Sequence, residues 1–590
     1  MHQYKPNFTK TMKNWKCFAA GLALLSATTL CAQELPRLQQ LKDGRTQFIV
    51  DGQPYIALAG ELHNSTTGSV ENMRTVWARM KAKNLNTVIA PVTWELLEPV
   101  EGQFDYTLID SMIEGARKEN LKLVVLWFGS WKNGTSTYIP AWVKKNPKKY
   151  LLAQNQRGEV MNTLSTLGTE SAKADANAFA HLMRHIKEVD HDHTVIMMQV
   201  ENEIGTLDMA STYMGLPNGS MRDYNAQANK AFSEQVPTLL TSYLKQHRKE
   251  LNPAIRSAWE ANGSKERGTW EEVFGKGTED PDKELSEHFS YLTEEIFMAW
   301  NYATYVEQIA ASGKRELALP MYVNAWMKQP TQPNPGQYPS GGPQAHLIDI
   351  WRAGAPSIDF LAPDIYAIDI FDQICTDYTQ SGNPLFIPET RVDASGASRA
   401  FYTFGKYGAL CYAPFGIDGG GMILSADPDE HYINDVYAML HRLMPYMKEH
   451  IGTPRMAGLL LDTGRESDAV QMGNYTVSLR KMSTRAAQAL VGVAVGEDNA
   501  QEEIASGVLV IQVADDEFIV AGGVGGVTVN ISKGEQSKAE HVGLLSVDEI
   551  CVDANGKEYL HRLNGDETSF GGGVIPAGQA KAFRIKMYTY

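Results

Sequence analysis

Short apolar runs alternate with longer amphipathic stretches along most of the chain. Eight such runs occupy residues 56–59, 85–90, 121–126, 195–200, 319–323, 360–365, 385–387 and 409–413. Between them lie segments whose apolar residues recur at helical spacing. Met73, Val76, Trp77 and Met80 do so within 70–84, and Val436, Leu440, Leu443, Met444 and Met447 on a segment that begins near Asn434. An apolar run of strand length followed by a helix, repeated, is the pattern of buried parallel strands with their crossovers. Eight repeats predict an α/β fold, a (β/α)8 barrel over residues 36–449, rather than an open doubly wound sheet. No glycine-rich fingerprint follows the first run, which argues against a dinucleotide fold. Asp43-Gly44 and Asp51-Gly52 bracket residues 47–50 as a short hairpin ahead of the barrel.

Past Gly452 the period changes from helical to alternating. Residues 476–479, 508–513, 518–520, 527–531 and 582–587 read as strands between Gly, Asp and Asn turns, predicting an antiparallel β-sandwich over 450–590. The glycine-rich stretch 522–526 reads as a hairpin connection there, since neither a helix pattern nor a lysine follows it. Two connections within the barrel are long. Residues 205–282 hold Trp259 and Trp270, and 329–344 are rich in proline and glycine. Such loops in a compact domain are usually lids or binding walls.

Residues 12–33 have the makings of an export signal: Lys13 and Lys16, an apolar stretch over 17–30, and Ala32 as a cleavage point, with Met12 as an alternative start. The apolar stretch is shorter than the roughly 20 residues of a spanning helix, so a secreted or periplasmic protein with no membrane-spanning segment in the mature chain is expected. Cys31 is a weaker candidate for lipidation. Removing residues 1–32, with their four lysines and no acid, takes the formal charge from −15 to −19. That balance repels nucleic acid and anionic membranes. Cys375, Cys411 and Cys551 are then left, an odd number with no paired spacing, so no disulfide framework or cysteine metal site is indicated.

The chemistry-bearing residues stand at the ends of two apolar runs: Glu201-Asn202-Glu203 after the fourth, and Glu389 after the seventh. In a barrel those ends form the catalytic face. Two carboxyls there suit glycoside hydrolysis, in which one protonates the leaving oxygen and the other attacks or stabilises the sugar cation. Glu201 and Glu203 are two apart on a strand, so strand periodicity points both the same way and does not choose between them. His191-Asp192-His193 precedes the fourth strand, at the opposite face, and no HExxH is present, so neither a metal nor a cofactor is expected.

Residues 199–205, Q-V-E-N-E-I-G, resemble the acid/base signature of glycoside hydrolase family 35, the β-galactosidases. Gly60-Glu61-Leu62-His63 is similar to the family's first-strand motif. Leu85-Asn86-Thr87, Trp94-Glu95, Glu98-Pro99 and 102–106 follow its second unit, and Pro388-Glu389 resembles its nucleophile site. The resemblance implies Glu203 as general acid/base and Glu389 as nucleophile of a retaining reaction, with Asn202 on the sugar 2-hydroxyl and Tyr366 on the nucleophile. Glu61 belongs to the implied substrate-binding set, and Trp94 is a candidate to stack on a sugar face. The family's tyrosine on the second strand is replaced by Pro91, and its Asn/Cys-Ala-Glu stretch after the third by 127–134, where Trp131 and Asn133 are the nearest substitutes. The expectation is an exported exo-β-glycosidase acting on a carbohydrate, a β-galactosidase on plant oligo- or polysaccharides. A β-glucosidase-like hydrolase or transglycosylase, and a glycan-binding protein on an inactive barrel, are the alternatives.

Overall fold

The computed structural model describes residues 34–207, 221–276, 289–419, 431–481, 504–553, 555–568 and 572–590. The expected export segment and Cys31 lie outside them. No helix among the described residues is long and apolar enough to cross a membrane.

Eight parallel strands close into a barrel in sequential order: β1 (Ala57–Glu61), β2 (Thr87–Thr93), β3 (Lys122–Lys132), β4 (Val195–Asn202), β5 (Met321–Trp326), β6 (Phe360–Ile365), β7 (Phe386–Thr390) and β8 (Cys411–Pro414). Each coincides with one of the eight apolar runs. Strands buried on both faces cannot show alternation, which is why these runs read as continuous rather than periodic. Inside the barrel Ala59, Val124, Leu126, Phe128, Tyr322, Phe360 and Phe386 fill one cluster. Phe48 and Val50 of the antiparallel strands Arg37–Gln40, Thr46–Val50 and Gln53–Pro54 belong to the same cluster.

The helix expected over 70–84 is two pieces, Val70–Met73 and Val76–Ala82, with Thr75 between them at φ −102° and ψ −5°. The apolar period survives because Met73, Val76, Trp77 and Met80 all still face the core. The later helix runs His431–His450 and buries Val436, Leu440, Leu443 and Met447.

Downstream lie two antiparallel sheets, one of six strands and one of four. Leu459, Val477, Val508, Phe518, Val529 and Phe583 pack between them. The glycine-rich stretch is not a hairpin. Glu517–Val524 pairs within the six-stranded sheet and Val527–Lys533 within the four-stranded one, so Gly525 and Gly526 carry the chain from one sheet to the other. A side chain on Gly525 would collide with Ser506 Oγ at 1.9 Å.

The six-stranded sheet also packs on helix Ala394–Tyr407, which follows β7. Backbone meets backbone there: a Cβ on Gly507 would lie 2.1 Å from Ser398 O, and one on Gly458 2.2 Å from Tyr402 O. Ser398 Oγ accepts from the Gly507 N–H at 2.6 Å and donates to Gly523 O at 3.0 Å.

Candidate active site

β4 does not end as a regular strand. Glu201 and Glu203 both adopt left-handed backbone, at φ 63° and 45°. Such conformations are strained for residues with a Cβ and cluster at functional sites. The twist gives the two carboxyls different surroundings.

Glu201 is turned into the wall. Between the Trp127–Val200 and Lys132–Asn202 pairs, β3 takes five steps while β4 takes two, so β3 bulges and its N–H groups leave the ladder. Glu201 recovers two of them, accepting from Ser130 N at 3.0 Å and Trp131 N at 2.7 Å. Asp175 accepts from Trp127 Nε1 at 2.8 Å and from Ser130 N at 3.0 Å. Burial, then the neighbouring Asp175 charge, push Glu201 well above the ordinary carboxylate range. Glu201 is therefore an anchor for the bulge rather than a group facing the cavity, a choice that strand spacing could not make.

Glu203 faces a cavity of about 550 Å³ with Glu389, Asp364, Lys132, Tyr366 and Asn133. Its N–H donates to Asn324 Oδ1 at 3.0 Å. Burial first and the charge of Glu389 second push its carboxyl up to about 7, against the opposing pull of Lys132. Oxygens of Glu203, Glu389 and Asp364 lie within 4.8 Å of one another. Such a cluster could also hold a cation. One point favours proton chemistry instead: Lys132 already brings a positive charge to the same cavity.

Glu389 is held by donors from β4, from β5 and from the residue after β6. Its Oε1 accepts from Asn202 Nδ2 at 3.2 Å and Asn324 Nδ2 at 3.3 Å, and its Oε2 from Tyr366 OH at 2.8 Å. Asn324 also donates to Asp364 Oδ2 at 2.8 Å. Asn202 Oδ1 in turn accepts from Lys132 Nζ at 2.7 Å. Glu61, from β1, is fully buried. Its carboxyl has no hydrogen-bond partner among the described residues, and burial followed by the charge of Glu389 raises it well above the usual range.

The site thus brings together Glu203, Glu389, Asn202, Tyr366 and Asn133, with Glu61 beneath them. It does not bring in the two tryptophans. Trp94 is buried, donates to Glu98 Oε2 at 2.8 Å and stands edge-on to Trp142. Trp131 is buried against Tyr302 and Tyr305 and donates to Thr163 Oγ1 at 3.0 Å. Both indoles are buried and neither lines the cavity, so the stacking expected of Trp94 and the sugar contact expected of Trp131 are corrected. Trp259 and Trp270 are likewise packed in the helical part of the long connection after β4, whose residues 208–220 and 277–282 lie outside the described ones. The proline-rich loop does reach the cavity through Gln329 and Gln332, and Gln332 Oε1 accepts from Trp326 Nε1 at 3.0 Å.

Sequence reading missed Asn324, Asp364, Lys132 and Trp326. Asn324 and Trp326 lie one and three residues past the point where the apolar run was taken to end. Asp364 sat inside a run counted as strand. A polar residue in the last turns of a barrel strand was the available signal.

Residues 47–328 match the profile of Glycosyl hydrolases family 35, and 433–574 that of a domain of unknown function, DUF5597. The family 35 resemblance holds. The family 35 match contains Glu61, Lys132, Asn202, Glu203 and Asn324 and stops short of Asp364, Tyr366 and Glu389. The chain is 25% identical over 181 residues to Beta-galactosidase-1-like protein 3 of Homo sapiens, covering 29% of this chain and 25% of that protein. To the Beta-galactosidase of Xanthomonas manihotis it is 28% identical over 182 residues, covering 29% and 27%. The chain thus spans about a quarter of the length of these curated relatives. Among solved structures, the catalytic domain of a β-amylase from Paenibacillus polymyxa is similar at a TM-score of 0.46, with 11% identity over 64% of this chain and 96% of that one. A GH42 β-galactosidase from G. stearothermophilus gives 0.45, with 15% identity over 68% and 58%.

Proposed function

We propose that the protein is a retaining exo-β-glycosidase, a β-galactosidase working by double displacement, with Glu389 as nucleophile and Glu203 as general acid/base. The observation that carries this is the approach of their carboxyl oxygens to within 4.8 Å. Retaining pairs stand about 5 to 5.5 Å apart, whereas inverting pairs are about 6.5 to 9.5 Å apart to admit a water between them. Glu389 attacks the anomeric carbon while Glu203 gives its proton to the departing oxygen; water then enters, losing a proton to Glu203, and releases the sugar with its configuration kept. Donation by Asn202, Asn324 and Tyr366 orients the nucleophile. The second N–H of the Asn202 amide would serve the sugar 2-hydroxyl, a contact that strengthens in the transition state.

The β-galactosidase names of the curated relatives favour galactose. The replaced end of β3, which puts Lys132 and Asn133 in the cavity, favours a second reading with the same chemistry on another neutral sugar or acceptor. Plant oligo- and polysaccharides remain the proposed substrates. Export through residues 12–33, and a division into barrel and sandwich near 450, belong to the same reading. A panel of nitrophenyl glycosides identifies the sugar, and proton NMR of the first-formed product reports the mechanism. Retention is expected; an inverted product would refute double displacement, and no turnover of any glycoside would leave a binding protein.

A further inference from the structure

The chain departs from the family 35 pattern at the end of β3, and there the structure places a cation. The bulge anchored by Glu201 and Asp175 brings Lys132 back into register opposite Asn202. Lys132 is 8% exposed, with Nζ 5.0 Å from the centre of the Phe128 ring. It is the sole Lys or Arg among the described residues lining the cavity. Its ammonium donates to Asn202 Oδ1 at 2.7 Å. An ammonium has donors and no acceptor, so the amide must present its oxygen to Lys132. The amide nitrogen is thereby committed to Glu389, 3.2 Å away.

We propose that Lys132 is a positioning residue of this active site, fixing the Asn202 amide that faces the nucleophile and offsetting the negative charge crowded around the two catalytic carboxyls. The inference rests on the glycosidase reading above. Glu61 and His63 face this region from β1 and the loop after it, Glu203 from just past β4, Asp364 from β6 and Tyr366 from just past it, and Glu389 from β7, while Tyr138 packs on Phe128. Burial by itself pulls Lys132 below its ordinary value. The four carboxyls, Glu389 foremost, outweigh it and hold Lys132 above its ordinary value. Lys132 in return draws Glu203 down, against burial and against Glu389. Without the cation Asn202 loses the partner that sets its orientation, and Glu203 keeps its proton to higher pH.

The test uses the full chain with Lys132→Met, Lys132→Gln and Lys132→Arg. Lys132→Met is expected to lower kcat on an aryl β-galactoside by about 10²-fold, the scale of a misplaced reacting group, with KM changed far less. The alkaline limb of its kcat/KM profile should move up by about one pH unit or more, and Lys132→Arg should bring the limb back. A ¹³C-carboxyl titration of Glu203, assigned by the resonance lost in Glu203→Gln, reads the same shift without turnover. If the wild-type protein cleaves no glycoside, the glycosidase reading fails and this titration alone decides the role of Lys132. Should Lys132→Met not fold, Lys132→Gln keeps a donor for Asn202 and removes the charge, so the titration shift must still be present. A Glu203 titration unmoved in a folded Met or Gln variant overturns the proposal, as does an Arg variant shifted as far as Met.

Discussion

Replacing Glu203 by glutamine should stabilise the protein, and more so the higher the pH. Glu203 is 6% exposed, and burial with the charge of Glu389 raises it from 4.5 to about 7. Because the folded value is the higher one, the folded state binds more protons than the unfolded state between these limits, and stability falls as pH rises through them. The protonated group's contribution is fully present below about 4.5 and lost as pH passes about 7. A gap of about 2.5 units corresponds to about 3 kcal/mol. Linkage puts the penalty at about 1 kcal/mol near pH 5 and about 3 kcal/mol near pH 8. Glutamine keeps the shape and removes the ionisation. Glu203 also raises Asp364 and Glu61, so relief of those groups adds in the same direction. Urea unfolding followed by tryptophan fluorescence at roughly pH 5 and pH 8 measures the difference, which should grow in the variant's favour with pH. A Glu203→Gln protein less stable than wild type near pH 8, or a difference that does not change with pH, would refute this account of Glu203.

Glu389→Gly should be nearly inactive, because the covalent route is closed while the pocket remains; azide or formate should restore some turnover, with an inverted product visible by NMR. Near wild-type rates in that variant would remove Glu389 from its role. Glu203→Ala should lose far more rate on a natural galactoside than on a dinitrophenyl glycoside, whose leaving group departs without a proton. Glu201→Gln is the control: it should show no such leaving-group dependence, since Glu201 holds the Ser130 and Trp131 amides rather than facing the cavity.

The barrel was legible because eight strands buried on both faces leave eight apolar runs, and little else produces that count between amphipathic helices. The two catalytic candidates were legible for a related reason. A carboxylate at the end of such a run must either be paired or have work to do. What the pattern could not give was the direction of each side chain once the strand stopped being regular. The left-handed residues 201 and 203 and the bulge in β3 break the two-residue period that any such reading assumes. Trp94 and Trp131 were misplaced for that reason: tryptophans beside a catalytic strand end are as readily packed behind the wall as set in it, and both found polar partners there for their indole N–H. Lys132 stands in the replaced stretch 127–134, but nothing in its sequence neighbours tells which way it points. Only the bulge, held by carboxyls from β4 and from helix Thr169–Val189, turns it inward.

The antiparallel sheets were visible as alternation, but their relation to the site was not, because the contact that joins them to the barrel adds close backbone approaches to the apolar packing of Phe401, Leu460, Leu509 and Ile519. Gly405, Gly458 and Gly507 let helix Ala394–Tyr407 lie directly on the six-stranded sheet, and Arg399, buried in that contact, pairs with Asp462. Glycines carry no hydrophobic signal, so a pattern reading registers them as turns. In the fold they allow a close backbone approach on the helix that directly follows the strand bearing Glu389. Close-packed interiors are stiff and transmit strain. Bulk introduced at Gly507 must push against Ser398 O, on the helix that follows the strand bearing Glu389.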